Sequence, residues 1–181
     1  MQSIETCRLA LVPVSMQHAS DILRHFTACI AAYMLPSPPQ NLDETRQIVN
    51  RFIQQRLAHT DYTYAVTLKA DGSFLGIASL EHCQSARPEL GIWLQAAAHG
   101  RHYGREAIGA LLSYAAILGL ATVYYPVDTR NIASTKIPLF YGAALSEPAR
   151  PVLTQDGRTL LLECYAISVA TALGQSPQPL R

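Results

Sequence analysis

Two spacings of apolar residues alternate along this chain, one suited to strands and one to helices. Alternation from Arg8 to Val14 predicts a first strand, and Ser15 follows as the N-cap of a helix carrying Ile22, Leu23 and Phe26. The loop Leu35-Pro36-Ser37-Pro38-Pro39 separates it from a second helix. There Asn41, with Glu44 three residues on, has the pattern of a capping box, and Ile48, Val49, Phe52, Ile53 and Leu57 share one face. Strands near Tyr62–Leu68 and Phe74–Glu81 flank Asp71-Gly72, a hairpin turn. A second Asp-Gly pair, Asp156-Gly157, predicts another hairpin whose last strand ends within Leu160–Ser168. The tail Gly174-Gln175-Ser176-Pro177-Gln178-Pro179 has the composition of a disordered segment.

The middle of the chain carries more chemistry. A short apolar strand (Leu90, Ile92, Trp93, Leu94) runs into a loop with Gly100 and Gly104, and a helix pattern follows from Arg105 to about Leu118. Ala107 to Val127 has no charged residue and is long enough on paper to cross a bilayer. Gly119 divides it, however, into a helix with Ile108, Leu111, Leu112, Ala115 and Leu118 at helical spacing and a strand from Ala121 to Tyr125. A strand, a glycine-bearing loop and a helix start together form an anion site. The first N–H groups of a helix lack partners, its N-terminus is partly positive, and glycine lets the backbone come close to a ligand. No Lys-Ser or Lys-Thr pair follows Gly104, which excludes a P-loop, and the dinucleotide G-x-G-x-x-G order is missing.

Composition narrows the class. The 181 residues fit one domain; apolar residues make up 49% and charged residues only 15%, low enough to suggest burial against another subunit as a homodimer. A net charge of +1 gives no basic field for nucleic acid or an anionic membrane. Cys7, Cys29, Cys83 and Cys164 show no C-x-x-C spacing, and the N-terminus does not read as a secretory signal, so reduced thiols in the cytoplasm are expected. Cys83, His99 and His102 are three potential metal ligands where a structural zinc uses four at tighter spacing, so no metal is expected. His82 and Cys83 could mimic a base and nucleophile, but neighbours on a strand point to opposite faces.

The loop resembles the coenzyme A loop of the GNAT superfamily of N-acetyltransferases, whose signature is Q/R-x-x-G-x-G/A. His99 stands at the Gln/Arg position, His102 at the first glycine and Gly104 at the last small residue, so two of three positions depart. Further segments resemble the RimJ/RimL-like branch, which acetylates ribosomal-protein N-termini. These are Glu5-Thr6 with Arg8-Leu9 (E-T-x-R-L), Glu89-Leu90-Gly91-Ile92-Trp93-Leu94 (E-L-G-Y-W-L), and Asn131, Ser134 and Gly142 (N-x-x-S-x7-G). The resemblance implies an α/β (α+β) fold in which residues 1–172 form a single GNAT-type domain. Its twisted, mixed and mostly antiparallel sheet would have about seven strands with a splayed central pair, flanked by about four helices, and residues 173–181 would be a disordered tail.

The same resemblance implies direct transfer of acetyl from acetyl-CoA to a primary amine in a ternary complex, without metal. The acceptor would be a protein N-terminus or a small amine. Backbone groups of Ile92, Trp93 and Leu94 would contact pantetheine, and His99, Gly100, Arg101, His102, Tyr103, Gly104 and Arg105 would surround the pyrophosphate. The amine must lose a proton, and Glu81, ending one strand, and Glu89, beginning the next, are the candidate bases, with a water-mediated route or no specific base as the alternatives. Ser134 is the candidate acid near the sulfur and equally a helix N-cap; Asn131 bonds either the pantetheine arm or a local turn. Tyr141 and Tyr165 are alternative acids or core aromatics. Pro138 falls where a helix should continue, which puts the geometry at Ser134 in question. A protein of this fold that binds acyl-CoA without catalysis is the other reading, favoured by the two histidines of the loop.

Overall fold

The computed structural model describes residues 3–175. Eight strands form one sheet: β1 (Ile4–Glu5), β2 (Leu9–Pro13), β3 (Tyr62–Leu68), β4 (Phe74–Glu81), β5 (Glu89–Leu94), β6 (Thr122–Asp128), β7 (Ala144–Leu153) and β8 (Thr159–Ser168). The helices are α1 (Ala19–His25), α2 (Ala28–Ala31), α3 (Leu42–Leu57), α4 (Tyr103–Ile117), α5 (Ile132–Phe140) and α6 (Val169–Gln175). Strand order is β1-β2-β3-β4-β5-β6-β8-β7. Every neighbouring pair is antiparallel except β5 and β6, which are parallel.

Local chemistry explains most of these boundaries. Gly72 (φ 74°) and Gly157 (φ 84°) supply the positive φ of the two hairpin turns. In α3, Asn41 accepts from the Glu44 N–H at 2.9 Å, while the Glu44 carboxylate reaches back to the Gln40 N–H at 2.6 Å. At the end of α4, Gly119 N–H bonds Ala116 O and Leu120 N–H bonds Ala115 O, both at 3.0 Å, with Gly119 at φ 75°. This paired closure of the last turn ends the helix and frees the chain for β6.

The sheet is covered on both faces. Leu80, Leu90 and Leu94 pack with Ile108, Leu111, Leu112 and Ala115 of α4. On the opposite face Ala65 and Ile77 pack with Ile22 and Phe26 of the α1 segment and Val49 of α3. Truncating a fully buried leucine such as Leu111 to alanine is expected to cost about 2–5 kcal/mol.

Several expectations are corrected in detail. Among the described residues the sheet has eight strands where about seven are expected, because the residues before Leu9 add the short β1. Six helices replace about four among the described residues, since α2 is a single turn and α6 closes the chain. Ser15 caps a short 3-10 turn, Met16–His18, that leads into α1. The fourth helix starts at Tyr103, two residues before Arg105. The expected domain limit after residue 172 falls inside α6, which runs to Gln175; the remainder of the expected tail lies outside the described residues.

Candidate active site

A gap opens where β5 and β6 run parallel. Their single registered pair is Glu89 with Tyr124, next to a Tyr124 N–H to Pro88 O bond of 2.8 Å. Two residues further on, the edge of β6 that faces β5 carries Pro126, which has no N–H to offer. The ladder stops there. Backbone groups of Ile92, Trp93 and Leu94 are therefore paired with β4 alone, and their other edge faces the gap. Ile92 lies on the α4 side, close to Gly104. Trp93 lies on the other side against Phe26 and Phe74, with ring centroids 4.9 and 5.9 Å away.

The loop after β5 leads directly to the start of α4. A short turn at Ala96–Ala98 follows Leu94, and the His99 ring folds back so that Nε2 donates to Leu94 O at 2.8 Å. Gly100 takes φ 74° and His102, at the N-cap, takes φ 61°. No side chain caps α4, and the N–H groups of Tyr103, Gly104 and Arg105 have no hydrogen-bond partner among the described residues. Such an end holds an anion well, since partial positive charge and free donors converge on it. Gly104 faces inward: a Cβ there would lie 3.2 Å from Ile137 Cδ1 and 3.7 Å from Ile92 Cδ1, so glycine lets α4 approach both β5 and α5. The Arg105 guanidinium lies 3.9 Å over the Phe140 ring.

The N-terminal segment braces this helix start from behind. Glu106 accepts from Thr6 Oγ1 at 2.6 Å, from the Arg8 N–H at 2.8 Å and from Arg8 Nε at 2.7 Å. Arg8 also stacks 4.5 Å over Tyr103. Burial alone would raise the Glu106 pKa, but these hydrogen bonds and the arginine charge outweigh it and hold the carboxyl below its ordinary value.

Glu81 and Glu89 meet across β4 and β5 as directly opposed residues on the face covered by α1 and α3. Glu81 Oε1 accepts from Ser79 Oγ at 2.6 Å, and a Cβ at Gly91 would collide with that pair. Glu89 sits at the crotch of the gap. Burial pushes its pKa above the ordinary value; the charges of Glu81 and Glu147 add to this, while His82 and Arg87 oppose it. Arg87 is engaged by the Glu147 carboxylate and the Tyr124 ring, 4.2 Å from its guanidinium.

On the far side of the gap α5 begins with a closed end. Asn131, not Ser134, is its N-cap, accepting from the Ser134 N–H at 3.2 Å. Ser134 Oγ lies instead 2.8 Å from the Tyr125 phenol oxygen. Pro138 is interior to α5 and cannot donate to the Ser134 carbonyl.

Residues 8–143 match the family model described as the acetyltransferase (GNAT) domain. The chain belongs to the GNAT acetyltransferase family. It is an acyltransferase that uses acetyl-CoA for N-acetylation. Solved structures of similar fold include RimL, a ribosomal L7/L12 alpha-N-protein acetyltransferase in complex with coenzyme A. It has a TM-score of 0.80 and 17% identity, covering 94% of this chain and 99% of that one. The acetyltransferase from Salmonella typhimurium that modifies the N-terminal serine of protein L7/L12 gives 0.80, 16%, 92% and 99%. Spermidine N-acetyltransferase from Vibrio cholerae, with coenzyme A and spermine, gives 0.79, 17%, 93% and 99%. Identities at this level establish a shared fold. No curated protein sequence matches the chain.

The remaining candidates of the acetyltransferase are occupied elsewhere. Tyr141 donates to Arg105 O at 2.7 Å and Tyr165 donates to Glu163 Oε1 at 2.9 Å. Burial pushes the Cys83 thiol up to about 11, far from a reactive thiolate. Among the described residues no group of three His, Cys, Asp or Glu could hold a metal ion. Two contributors escaped the sequence reading. Pro126 was a visible signal for the gap, being a proline inside a strand pattern. The Glu106 brace had no local signal, since its partners lie almost a hundred residues away.

Proposed function

We propose that this acetyltransferase holds the pyrophosphate of acetyl-CoA on the open N-terminus of α4, within the loop His99–Arg105, and threads pantetheine along Ile92–Leu94. A primary amine then attacks from the face of Glu81 and Glu89. The amine nitrogen forms a bond to the acetyl carbon, the C–S bond breaks with its electron pair going to sulfur, and the nitrogen's proton passes to Glu89 directly or through water. Glu89 is preferred to Glu81 because its raised pKa suits a base, whereas Glu81 is already engaged by Ser79. Ser134 faces the leaving sulfur. The uncapped start of α4 carries this reading.

The acceptor class is a protein N-terminal amine or a small polyamine, the two kinds of acceptor named for the structural neighbours. The binding-only alternative loses its support, because both unusual histidines fit the loop: His99 ties it to Leu94 and His102 adopts the left-handed conformation. Free cysteines, two of them exposed, suit the cytoplasm. No helix among the described residues is long and apolar enough to cross a membrane. Exposed Leu145, Leu153 and Leu161 of β7 and β8 offer a surface for a homodimer.

Thiol release from acetyl-CoA over a panel of N-terminal peptides and polyamines tests the reading; no release above background with any amine would refute it. With the best acceptor, Glu89→Gln should lower kcat at pH 7 by about 10²-fold. Wild-type kcat should fall as pH drops through the raised Glu89 pKa, and the variant should lack that limb. The stability sign is the reverse. Folded Glu89 holds its proton more tightly than the unfolded chain does, so its contribution is lost as pH rises through the folded pKa. At pH 7 the glutamine variant should be as stable as wild type or more so. A loss of kcat below threefold would move the base role to Glu81 or water.

A further inference from the structure

Tyr125 stands on β6 with its ring buried in the core beneath α4. Its phenol lies 2.8 Å from Ser134 Oγ, the only hydrogen-bond partner of that hydroxyl among the described residues. Two hydroxyls in contact must settle which one donates. Burial pushes the phenol up to about 12, so it keeps its proton. A buried O–H without an acceptor would cost about 1–3 kcal/mol, and Ser134 Oγ is the acceptor within reach. Tyr125 therefore donates and Ser134 accepts. Ser134 is only half-buried, and its own hydrogen remains available.

The direction left to that hydrogen follows from α5. Ser134 and Ile137 are three residues apart on a helix and so share a face. Ile137 reaches toward Gly104 and Ile92 at the edge of the gap. We propose that Tyr125 is a positioning residue: by donating to Ser134 Oγ it turns the serine O–H toward the gap between β5 and β6, where it donates to the departing thiolate of coenzyme A. This rests on the reading of Ser134 above. During transfer the C–S electron pair moves onto sulfur, and the serine hydrogen bond stabilises that charge while the serine keeps its proton. The tyrosine stays protonated throughout and touches neither substrate.

Titration of the bound coenzyme A thiol tests this without any acceptor, using the ultraviolet absorbance of the thiolate and subtracting ligand-free protein for its four cysteines. In the wild type the bound thiol should titrate about 0.5 to 1 pH unit below free coenzyme A. Ser134→Ala and Tyr125→Phe should each remove most of that lowering, with coenzyme A affinity within about threefold of wild type. A fluorinated tyrosine at position 125, a stronger donor of the same shape, should lower the thiol further, which a merely structural phenol would not do. Loss of the lowering in Ser134→Ala but not in Tyr125→Phe, with no response to fluorination, would overturn the role of Tyr125 and leave that of Ser134. No change in any variant would overturn both. If Tyr125→Phe fails to fold, the fluorinated protein decides alone.

Discussion

Two helices begin beside the gap between β5 and β6, and their first turns are finished in opposite ways. At α5, Asn131 accepts the Ser134 N–H and closes the end. At α4 no side chain among the described residues does so, and three N–H groups have no partner among them behind a left-handed His102. A missing cap typically costs about 1 kcal/mol, and the left-handed backbone of a non-glycine residue adds about as much again. On the proposed reading, the protein gives up stability where a phosphate is to bind and keeps it where a helix only has to hold its place. The brace of Thr6 and Arg8 on Glu106 strengthens that contrast, because it stiffens the open end from behind and neutralises the one carboxylate in its first turn.

The contrast breaks most severely if the open end is given a negative charge of its own. His102→Asp tolerates the left-handed conformation and complements the helix dipole, so the melting temperature should hold or rise. Coenzyme A affinity, read by calorimetry, should nevertheless fall by about 10²-fold. Gly104→Val keeps the end open but forces α4 away from Ile92 and Ile137, and it should weaken coenzyme A at least ~10-fold, or about 1.4 kcal/mol. Unchanged affinity in a folded Gly104→Val protein would argue against a tightly shaped loop. Removing the brace with Arg8→Met should weaken coenzyme A by about threefold and release the Glu106 charge. Its stability sign is fixed by the depressed pKa: the contribution is present above the unfolded carboxylate value and lost as pH falls through the folded one. Melting curves at pH 7 and pH 4 should therefore differ less between variant and wild type at the lower pH. Asn131→Ala, at the closed end, should lower stability by about 1 kcal/mol, or ~2–4 °C, and shift coenzyme A affinity least of all. A larger loss of affinity there than in Gly104→Val would mean that Asn131 binds the cofactor rather than the helix.

Where the sequence was legible, the signals were local. Asp71-Gly72, Asp156-Gly157, Asn41 with Glu44 and Gly119 each mark a turn or cap whose chemistry is complete within a few residues, and each stands where expected. The helix pattern from Arg105 misses the first two residues of α4 because a histidine in the left-handed region has no sequence signature; a glycine there would announce the cap. Residue type alone makes Ser134 a candidate cap, but Asn131 lies three residues earlier and its side chain accepts the Ser134 N–H, which puts the helix start ahead of the serine. The pairing of Glu81 with Glu89 depends on the register of β4 against β5, and the choice between them depends on burial and neighbours drawn from several elements. Faces and charges assembled from distant segments are fixed by packing, which periodicity alone does not specify.

The open N-terminus of α4 is proposed to bind the pyrophosphate of the cofactor. Its most direct test is the ratio of coenzyme A to pantetheine affinity, measured by calorimetry in the wild type and in His102→Asp. Pantetheine keeps the arm along β5 but lacks the pyrophosphate. Coenzyme A should bind at least about 10²-fold tighter than pantetheine in the wild type, with that ratio collapsing toward one in His102→Asp while pantetheine binding is unchanged. Equal affinities in the wild type, or a ratio that survives the aspartate, would contradict it.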